Sequence, residues 1–223
     1  MASVINRYLC SMMRYLLISI VWFIASLSVQ AQVIDSLFAS VPNAYMPLLE
    51  YNSRLDMLDL YNCGMEAKVY NDLGGEACLI HKDSVHFVVS TTSSSLFELR
   101  ILKKDSDTIY SCIRTVNMPE KFSQILFLND QWHPIKLKEP QEISFEKCWY
   151  PSDSLSEDRI ENLRLSLQPT CFDMHWEEDM TGTPLLVYQV STDGLMPEDQ
   201  KAAALCLRPL KFLYKEGKFI PVE

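Results

Sequence analysis

Histidine and carboxylate residues are concentrated in one stretch of the C-terminal half, His175-Trp-Glu-Glu-Asp179. An imidazole beside carboxylates can bind a divalent cation or transfer protons in acid–base catalysis. Side chains alternate between the two faces of a β-strand, so His175 and Glu177 should align while Glu178 points away. The stretch continues into Met180-Thr-Gly-Thr183, whose composition is typical of a turn. We therefore predict an acidic strand end here rather than a metal or catalytic site.

Two other groups of residues could do similar chemistry. His81 and His86 lie five residues apart with Asp83 between them. We expect these residues to lie on a hairpin, with the two imidazoles apart and exposed. Asp56 and Asp59 are three residues apart and could pair as catalytic carboxylates, but a solvated helix face is the default for such spacing.

Motifs for nucleophiles and cofactors are missing from the sequence. The run from Ser90 to Ser95 contains neither GxSxG nor SxxK, the motifs that position a nucleophilic serine. The chain also lacks HExxH, a P-loop, a dinucleotide-binding glycine pattern and an EF-hand loop. We predict no catalytic residue, no cofactor and no metal from these patterns.

The charge balance argues against nucleic acid as a partner. The chain has 20 basic and 29 acidic residues, a net charge of −9. Loss of the two N-terminal arginines, Arg7 and Arg14, would change this to −11. Nucleic-acid binding needs a basic surface, which this composition does not indicate. The hydrophobic fraction of 48% and charged fraction of 22% are typical of a globular protein.

The cysteines leave the redox state open. An even number outside the cytoplasm permits disulfides, but the spacing is irregular and contains no CxxC. We expect zero to two bridges, with the remaining cysteines acting as small buried hydrophobic residues. The six cysteines beyond residue 31 are Cys63, Cys78, Cys112, Cys148, Cys171 and Cys206.

The N-terminus is predicted to be a cleavable signal peptide, residues 1–31. Two arginines precede an apolar stretch, Tyr15–Leu27, which is shorter than the ~20 residues that cross a bilayer. Val29-Gln-Ala31 then places small residues at a cleavage site, so the mature chain would begin at Gln32. An uncleaved N-terminal anchor is the alternative. We expect a periplasmic, cell-surface or secreted protein with no membrane span after cleavage.

Patterning predicts an α+β fold, mostly antiparallel sheet with a few helices. Residues 32–51 form a short leader in this prediction, and a helix covers Arg54–Tyr61 and stops at Gly64. Further helices are predicted at Ser156–Glu161 and from Pro197. Strands are predicted at 97–102, 108–116, 125–128, 163–167, 171–177, 184–191, 210–214 and 219–222.

One helix and one strand predict a core contact. Leu55 and Leu58 give the first helix an apolar face, and Phe97, Leu99 and Ile101 give the strand another. Neither face is stable alone, so we expect each to cover the other, with the two aspartates of the helix outside the contact.

The chain divides into two predicted α+β halves, 32–137 and 163–223, joined by a connector at 138–162. Met118-Pro-Glu120 and Met196-Pro-Glu198 are each predicted to start a helix before an aromatic-rich hairpin. This echo is consistent with an internal duplication that made two similar halves, and equally with chance reuse of turn residues. One continuous domain is the alternative.

Several segments resemble a Bacteroidales family known only as domain of unknown function 3256. The opening of that family is similar to Asn52–Tyr61, followed by Gly64-Met65 and Asn71–Gly75. The resemblance implies an exported protein of about this size in a Gram-negative cell envelope. It implies no catalytic residues, because the family has no established activity. Other similar segments are Thr91–Ser95, Arg114–Val116, and Trp132 after Phe127.

We hypothesise a non-catalytic binding or interaction module of the cell envelope, with a protein or glycan partner. The hypothesis rests on the missing catalytic motifs and on a sheet-rich, aromatic-rich chain. One alternative is an envelope hydrolase that uses carboxylates, for which Asp56, Asp59 and Glu177 are the candidates. The other is a structural subunit of an envelope assembly.

Overall fold

Two antiparallel sheets and five helices make up the part of the chain described by the computed structural model, residues 33–117, 119–140 and 143–222. The predicted signal peptide, residues 1–31, lies outside the described residues, as do Gln32 and Met118. The α+β class and the antiparallel pairing confirm the predicted fold class. None of the described helices is long and apolar enough to cross a bilayer.

The first sheet is a six-stranded meander in which each strand pairs with the next one in the chain. The longest ladder joins β4 to β5, where Phe97 and Leu99 alternate with more polar neighbours as predicted. Its strands are β1 Lys68–Tyr70, β2 Glu76–Lys82, β3 His86–Thr92, β4 Ser95–Lys104, β5 Asp107–Asn117 and β6 Lys121–Asn129.

The second sheet has four strands in the order β10-β9-β8-β7. The predicted closing hairpin is confirmed as β9 and β10, with Phe219 opposite Tyr214. These strands are β7 Phe172–Glu178, β8 Pro184–Val190, β9 Leu210–Lys215 and β10 Lys218–Val222.

Helices pack outside the sheets. Residues 33–40 form helix α1, where we had expected only a leader. This segment is helical because Ile34, Leu37, Phe38 and Val41 fall at helical spacing and so share one face. All four side chains are buried. The other helices are α2 Tyr51–Asn62, α3 Phe145–Cys148, α4 Glu157–Ser166 and α5 Pro197–Cys206.

Helix α4 corrects one predicted strand. Leu163, Leu165 and Leu167 alternate at period two, which favoured a strand at 163–167. The structure continues the helix through Ser166, because Leu163 and Leu167 are also four residues apart and both are buried. Leu165, between them, is 62% exposed. The predicted start of this helix is confirmed by Ser156, whose hydroxyl accepts a hydrogen bond from the Arg159 N–H.

Two core clusters cover the two faces of the first sheet. On one face Leu58 packs in the same cluster as Phe97 and Leu99, as predicted. Leu55 was wrongly placed in that contact, because it is 36% exposed and Arg54 is buried beside Leu58 instead. The predicted exposure of the two aspartates of α2 is confirmed.

The second cluster lies between the sheets and joins the two predicted halves. It includes Ile113 and Phe127 from the first sheet and Trp176 and Leu186 from the second. Buried hydrogen bonds cross the junction as well, such as the one from the Trp176 indole N–H to the Ser111 hydroxyl at 3.0 Å. The division into halves stays a prediction, but residues 119 and 120, which are described, do not form the helix that we expected in its first copy. Residues 119–120 lead directly into β6, whereas Pro197 does begin α5.

Candidate metal centre

The hairpin of β2 and β3 carries an irregularity next to His81. Leu79 lies opposite Val89, but His81 lies opposite Val88, so the register shifts by one residue between them. As a result Ile80 and His81, which are consecutive, are both exposed. A β-bulge of this kind re-aims a side chain relative to a regular strand. Here it turns the His81 imidazole toward the end of the hairpin.

The turn that follows is organised by Asp83. Its Oδ1 accepts hydrogen bonds from the backbone N–H groups of Val85 at 2.7 Å and of His86 at 2.8 Å. These bonds fix the carboxylate and leave Oδ2 facing the two imidazoles. The Oδ2 atom lies 3.3 Å from His81 Nε2 and 4.0 Å from His86 Nδ1.

The two histidines therefore converge, so our expectation that they would lie apart is wrong; the expected exposure is confirmed for His81 and wrong for His86. Their ring centroids are 5.3 Å apart. The ligand atoms of His81, Asp83 and His86 all lie within 4.8 Å of one another. His86 is buried, so only His81 and Asp83 face the solvent. The turn of the expected hairpin and the bulge, which the sequence did not predict, together produce this arrangement.

A buried carboxylate supports the inner histidine. Glu98 on β4 lies with its Oε1 2.8 Å from His86 Nε2, and the side chains are 8% and 9% exposed. The same Oε1 accepts the backbone N–H of Trp176 at 2.8 Å. A proton on Nε2, the nitrogen that faces Glu98, would leave the Nδ1 lone pair on the side of Asp83, whose Oδ2 lies 4.0 Å away. The sequence did not identify Glu98 as part of the site, because the alternating pattern of β4 does not show that Glu98 contacts His86.

The pKa of Asp83 lies below its ordinary value. Partial burial acts to raise the pKa, but it is outweighed by the Val85 N–H, the His81 ring, the charge of His86 and the His86 N–H. Asp83 is thus held as a carboxylate, the form that binds a cation.

Two imidazole nitrogens and one carboxylate make a donor set typical of Zn²⁺. In a tetrahedral site with ligands ~2.0–2.1 Å from the ion, ligand atoms lie roughly 3.4 Å apart. The ligand atoms of the cluster lie up to 4.8 Å apart, which exceeds this spacing by as much as about 1.4 Å. His81, whose side chain is 49% exposed, has room to close that gap by rotating. A carboxylate behind a metal-binding histidine is also the usual outer partner in such sites.

The other residues considered from the sequence lie elsewhere. His175 Nε2 is 3.3 Å from Glu177 Oε1, which confirms that these two side chains align on β7. Glu177 also pairs with Lys211 at 2.8 Å, whereas Glu178 pairs with Arg100 across the sheet junction. The Lys211 hydrogen bond is the main cause of a lowered pKa at Glu177, which is therefore a poor proton donor.

All six cysteines beyond residue 31 lie in the described residues as free thiols. Cys63 is exposed, while Cys112, Cys148 and Cys206 are buried. Burial raises the pKa of the Cys112 thiol to about 12 and that of the Cys148 thiol to about 11. These buried thiols act as small hydrophobic residues, as expected for some of the six.

The fold and the site together define an α+β protein with two facing antiparallel sheets and a histidine–aspartate cluster on an outer hairpin. The chain belongs to the family described as protein of unknown function (DUF3256), whose model matches residues 26–219. A similar solved structure is a domain of an uncharacterized protein from Porphyromonas gingivalis W83. It has 22% sequence identity and a TM-score of 0.64, and the match covers 85% of this chain and 98% of that one. This likeness shows a shared fold. No curated protein matches the chain.

Proposed function

We propose that this protein is a non-catalytic binding module that holds one divalent transition-metal ion, best matched by Zn²⁺, with His81, Asp83 and His86. The observation that carries the proposal is the hydrogen bond from His86 to buried Glu98, which directs Nδ1 toward Asp83 and His81. Burying a carboxylate is costly unless it is well hydrogen-bonded. A histidine that only covers a strand face does not require such a buried carboxylate beside it.

The donor types favour zinc over calcium or magnesium. Ca²⁺ and Mg²⁺ prefer an all-oxygen shell, whereas imidazole suits Zn²⁺, Cu²⁺ and Ni²⁺. Three protein ligands leave one position of a tetrahedral ion for water or for a group from a partner. In an interaction module a partner group would take that open position, which in catalytic zinc sites is taken by the water that the ion activates.

The hydrolase alternative receives less support from the geometry. Asp56 and Asp59 are exposed on α2, outside the metal cluster. Glu177 is held ionised by Lys211, and a lowered pKa is the opposite of what a general acid needs. No contact among the described residues favours the third alternative, a structural subunit of an assembly.

Zinc titration of the mature chain, stripped of metal with EDTA, tests the proposal. Isothermal titration calorimetry should give one site per chain, and Co²⁺ should give the visible absorption bands of a tetrahedral ion. Glu98→Gln should weaken Zn²⁺ binding roughly 10–100-fold, as is typical for outer partners of ligating histidines. His81→Ala should weaken it further, and it should fold normally because His81 is half exposed.

The matched control is His133→Ala, since His133 is an exposed histidine outside the cluster and the chain has four histidines. It should leave zinc affinity unchanged. Zinc binding that survives His81→Ala, or that is lost equally in His133→Ala, would place the metal elsewhere and overturn the proposal. Circular dichroism of each variant separates loss of binding from loss of folding.

We further propose that the protein is exported and works in the periplasm or at the cell surface. Support comes from the arginine–apolar–small-residue order of residues 1–31. Intact mass spectrometry of the native protein should show a chain that begins at Gln32. A cytoplasmic protein that retains Met1 would contradict export without affecting the zinc proposal.

A further inference from the structure

A cavity of about 780 Å³ lies between the second sheet and the connector, away from the metal cluster. The walls come from residues 138–140, from α3 and Tyr150 just beyond it, from residues 208–209 and the start of β9, and from Gly217 and β10. Five basic side chains line it, and Glu139 is the one acidic residue among the described lining residues. The basic residues are Lys138, Lys147, Arg208, Lys211 and Lys218.

The backbone holds several of these residues in place. An isolated β-bridge joins Trp149, just after α3, to Leu207, just after α5. Its hydrogen bonds run from the Tyr150 N–H to the Cys206 carbonyl at 2.7 Å and from the Arg208 N–H to the Cys148 carbonyl at 2.8 Å. Tyr150 and Arg208 thereby reach the cavity from just beyond the ends of two different helices, α3 and α5.

The local charge opposes the charge of the whole chain. The chain carries 29 acidic and 20 basic residues, yet the lining residues carry five basic groups and one acid. Lys211 is paired with Glu177 at 2.8 Å, and Lys138, Arg208 and Lys218 outnumber Glu139 even when Lys211 and Lys147 are left out. A basic cavity with apolar walls concentrates anions from solution.

Aromatic rings and prolines form the rest of the lining. Phe212 and Phe219 come from the paired strands β9 and β10, and Tyr150 and Pro221 also contribute. Apolar walls with a few charged groups, in a volume of ~300–1,000 Å³, are typical of sites for small molecules. We infer that this cavity binds a small organic anion, a carboxylate or phosphate attached to a sugar-sized ring.

The size of the ligand follows from the same charges. A long polyanion would extend beyond the cavity onto a surface whose net charge is strongly negative, and it would be repelled there. A small anion stays within the basic lining. The ring packs against the aromatic walls, while Arg208 pairs with the anionic group in a bidentate manner.

Titration of the mature chain with four probes tests this inference: glucose 1-phosphate, glucuronate, neutral glucose and inorganic phosphate. The sugar phosphate or the sugar acid should bind more tightly than glucose, and whichever binds better identifies phosphate or carboxylate as the preferred group. Binding should weaken as salt is raised. Equal binding of neutral glucose, tighter binding of inorganic phosphate alone, or no binding of either sugar anion at millimolar concentration would overturn the inference.

Variants assign the binding to this cavity. Arg208→Ala and Lys218→Ala should each weaken the anion by about tenfold or more, because each removes a charge that lines the cavity. Lys103→Ala is the matched control, since Lys103 is an exposed lysine on β4 outside the lining. Equal losses in Lys103→Ala would show only a general charge effect and contradict the site. Zinc affinity should be the same in all three variants, so failure here is distinguishable from failure of the metal proposal.

Discussion

Arg54 is a buried cation whose loss should destabilise the N-terminal part of the fold. It lies on α2, is 1% exposed, and donates from Nε to the Leu49 carbonyl at 2.8 Å. Its Nη1 donates to the Ala39 carbonyl at 3.0 Å and also to the Val41 carbonyl, and its Nη2 donates to Asn43 Oδ1 at 2.7 Å. One guanidinium thus donates hydrogen bonds to oxygen atoms at the end of α1 and in the segment that leads to α2. Burial lowers the pKa of Arg54 from its ordinary value.

Arg54→Met retains most of the apolar volume and removes every donor. Three backbone carbonyls then lose their partner, and each buried unsatisfied group costs ~1–3 kcal/mol. Because some water will enter the gap, we expect a total loss of about 3–5 kcal/mol. That is a large share of the ~5–15 kcal/mol that stabilises a typical domain. Arg54→Lys should recover only part of the loss, because an ammonium group cannot reproduce the planar fork.

Urea unfolding of the mature chain, followed by circular dichroism, measures this change. Asp56→Asn on the same helix is the control, because Asp56 is exposed and its substitution should cost well under ~1 kcal/mol. If Arg54→Met costs no more than Asp56→Asn, the guanidinium does not hold α1 to α2. A cost confined to Arg54→Met supports the bonding described above.

Three further predictions follow from burial and charge. Leu58→Ala should cost ~2–5 kcal/mol in the same melts, because Leu58 is buried, whereas Leu55→Ala should cost much less; equal costs would contradict the assigned helix face. In native protein at pH 8, iodoacetamide should modify Cys63 rapidly and spare Cys112, whose pKa is raised by burial to about 12 and whose thiolate is therefore scarce. Mass spectrometry of the labelled peptides checks this, and rapid labelling of Cys112 would show that the core opens. The mature chain should show no micromolar binding to random duplex DNA by fluorescence anisotropy at physiological salt, because its net charge is strongly negative.

The sequence predicted the elements whose periodicity is clear. Alternation around Phe97 and Leu99 predicted β4, and Pro197 marked the start of α5, because these signals are local. Leu163 and Leu167 fit both a helix and a strand, and packing decided for the helix. The stretch before Pro42 also has helical spacing, which the prediction of a leader over residues 32–51 did not use.

The candidate site depended on contacts that periodicity does not reveal. His81 and His86 meet because a one-residue register shift precedes the turn, and nothing in a single sequence marks such a shift. Glu98 lies 12 residues from His86 and is brought beside it only by the pairing of β3 with β4. The basic cavity likewise draws residues from distant parts of the chain, so the overall acidity concealed it.

Glu98 also connects His86 to a buried tryptophan, Trp176. One carboxylate oxygen accepts hydrogen bonds from His86 and from the backbone of Trp176. The indole of Trp176 is buried and lies with its ring centroid 6.4 Å from that of Tyr214 and 6.2 Å from that of Phe219. If His86 binds an ion as proposed, the change at the shared carboxylate should alter the electric field around this chromophore. Zinc added to the protein should therefore change the fluorescence of Trp176, and a Trp176→Phe variant should lose that part of the signal while Trp132 and Trp149 still emit.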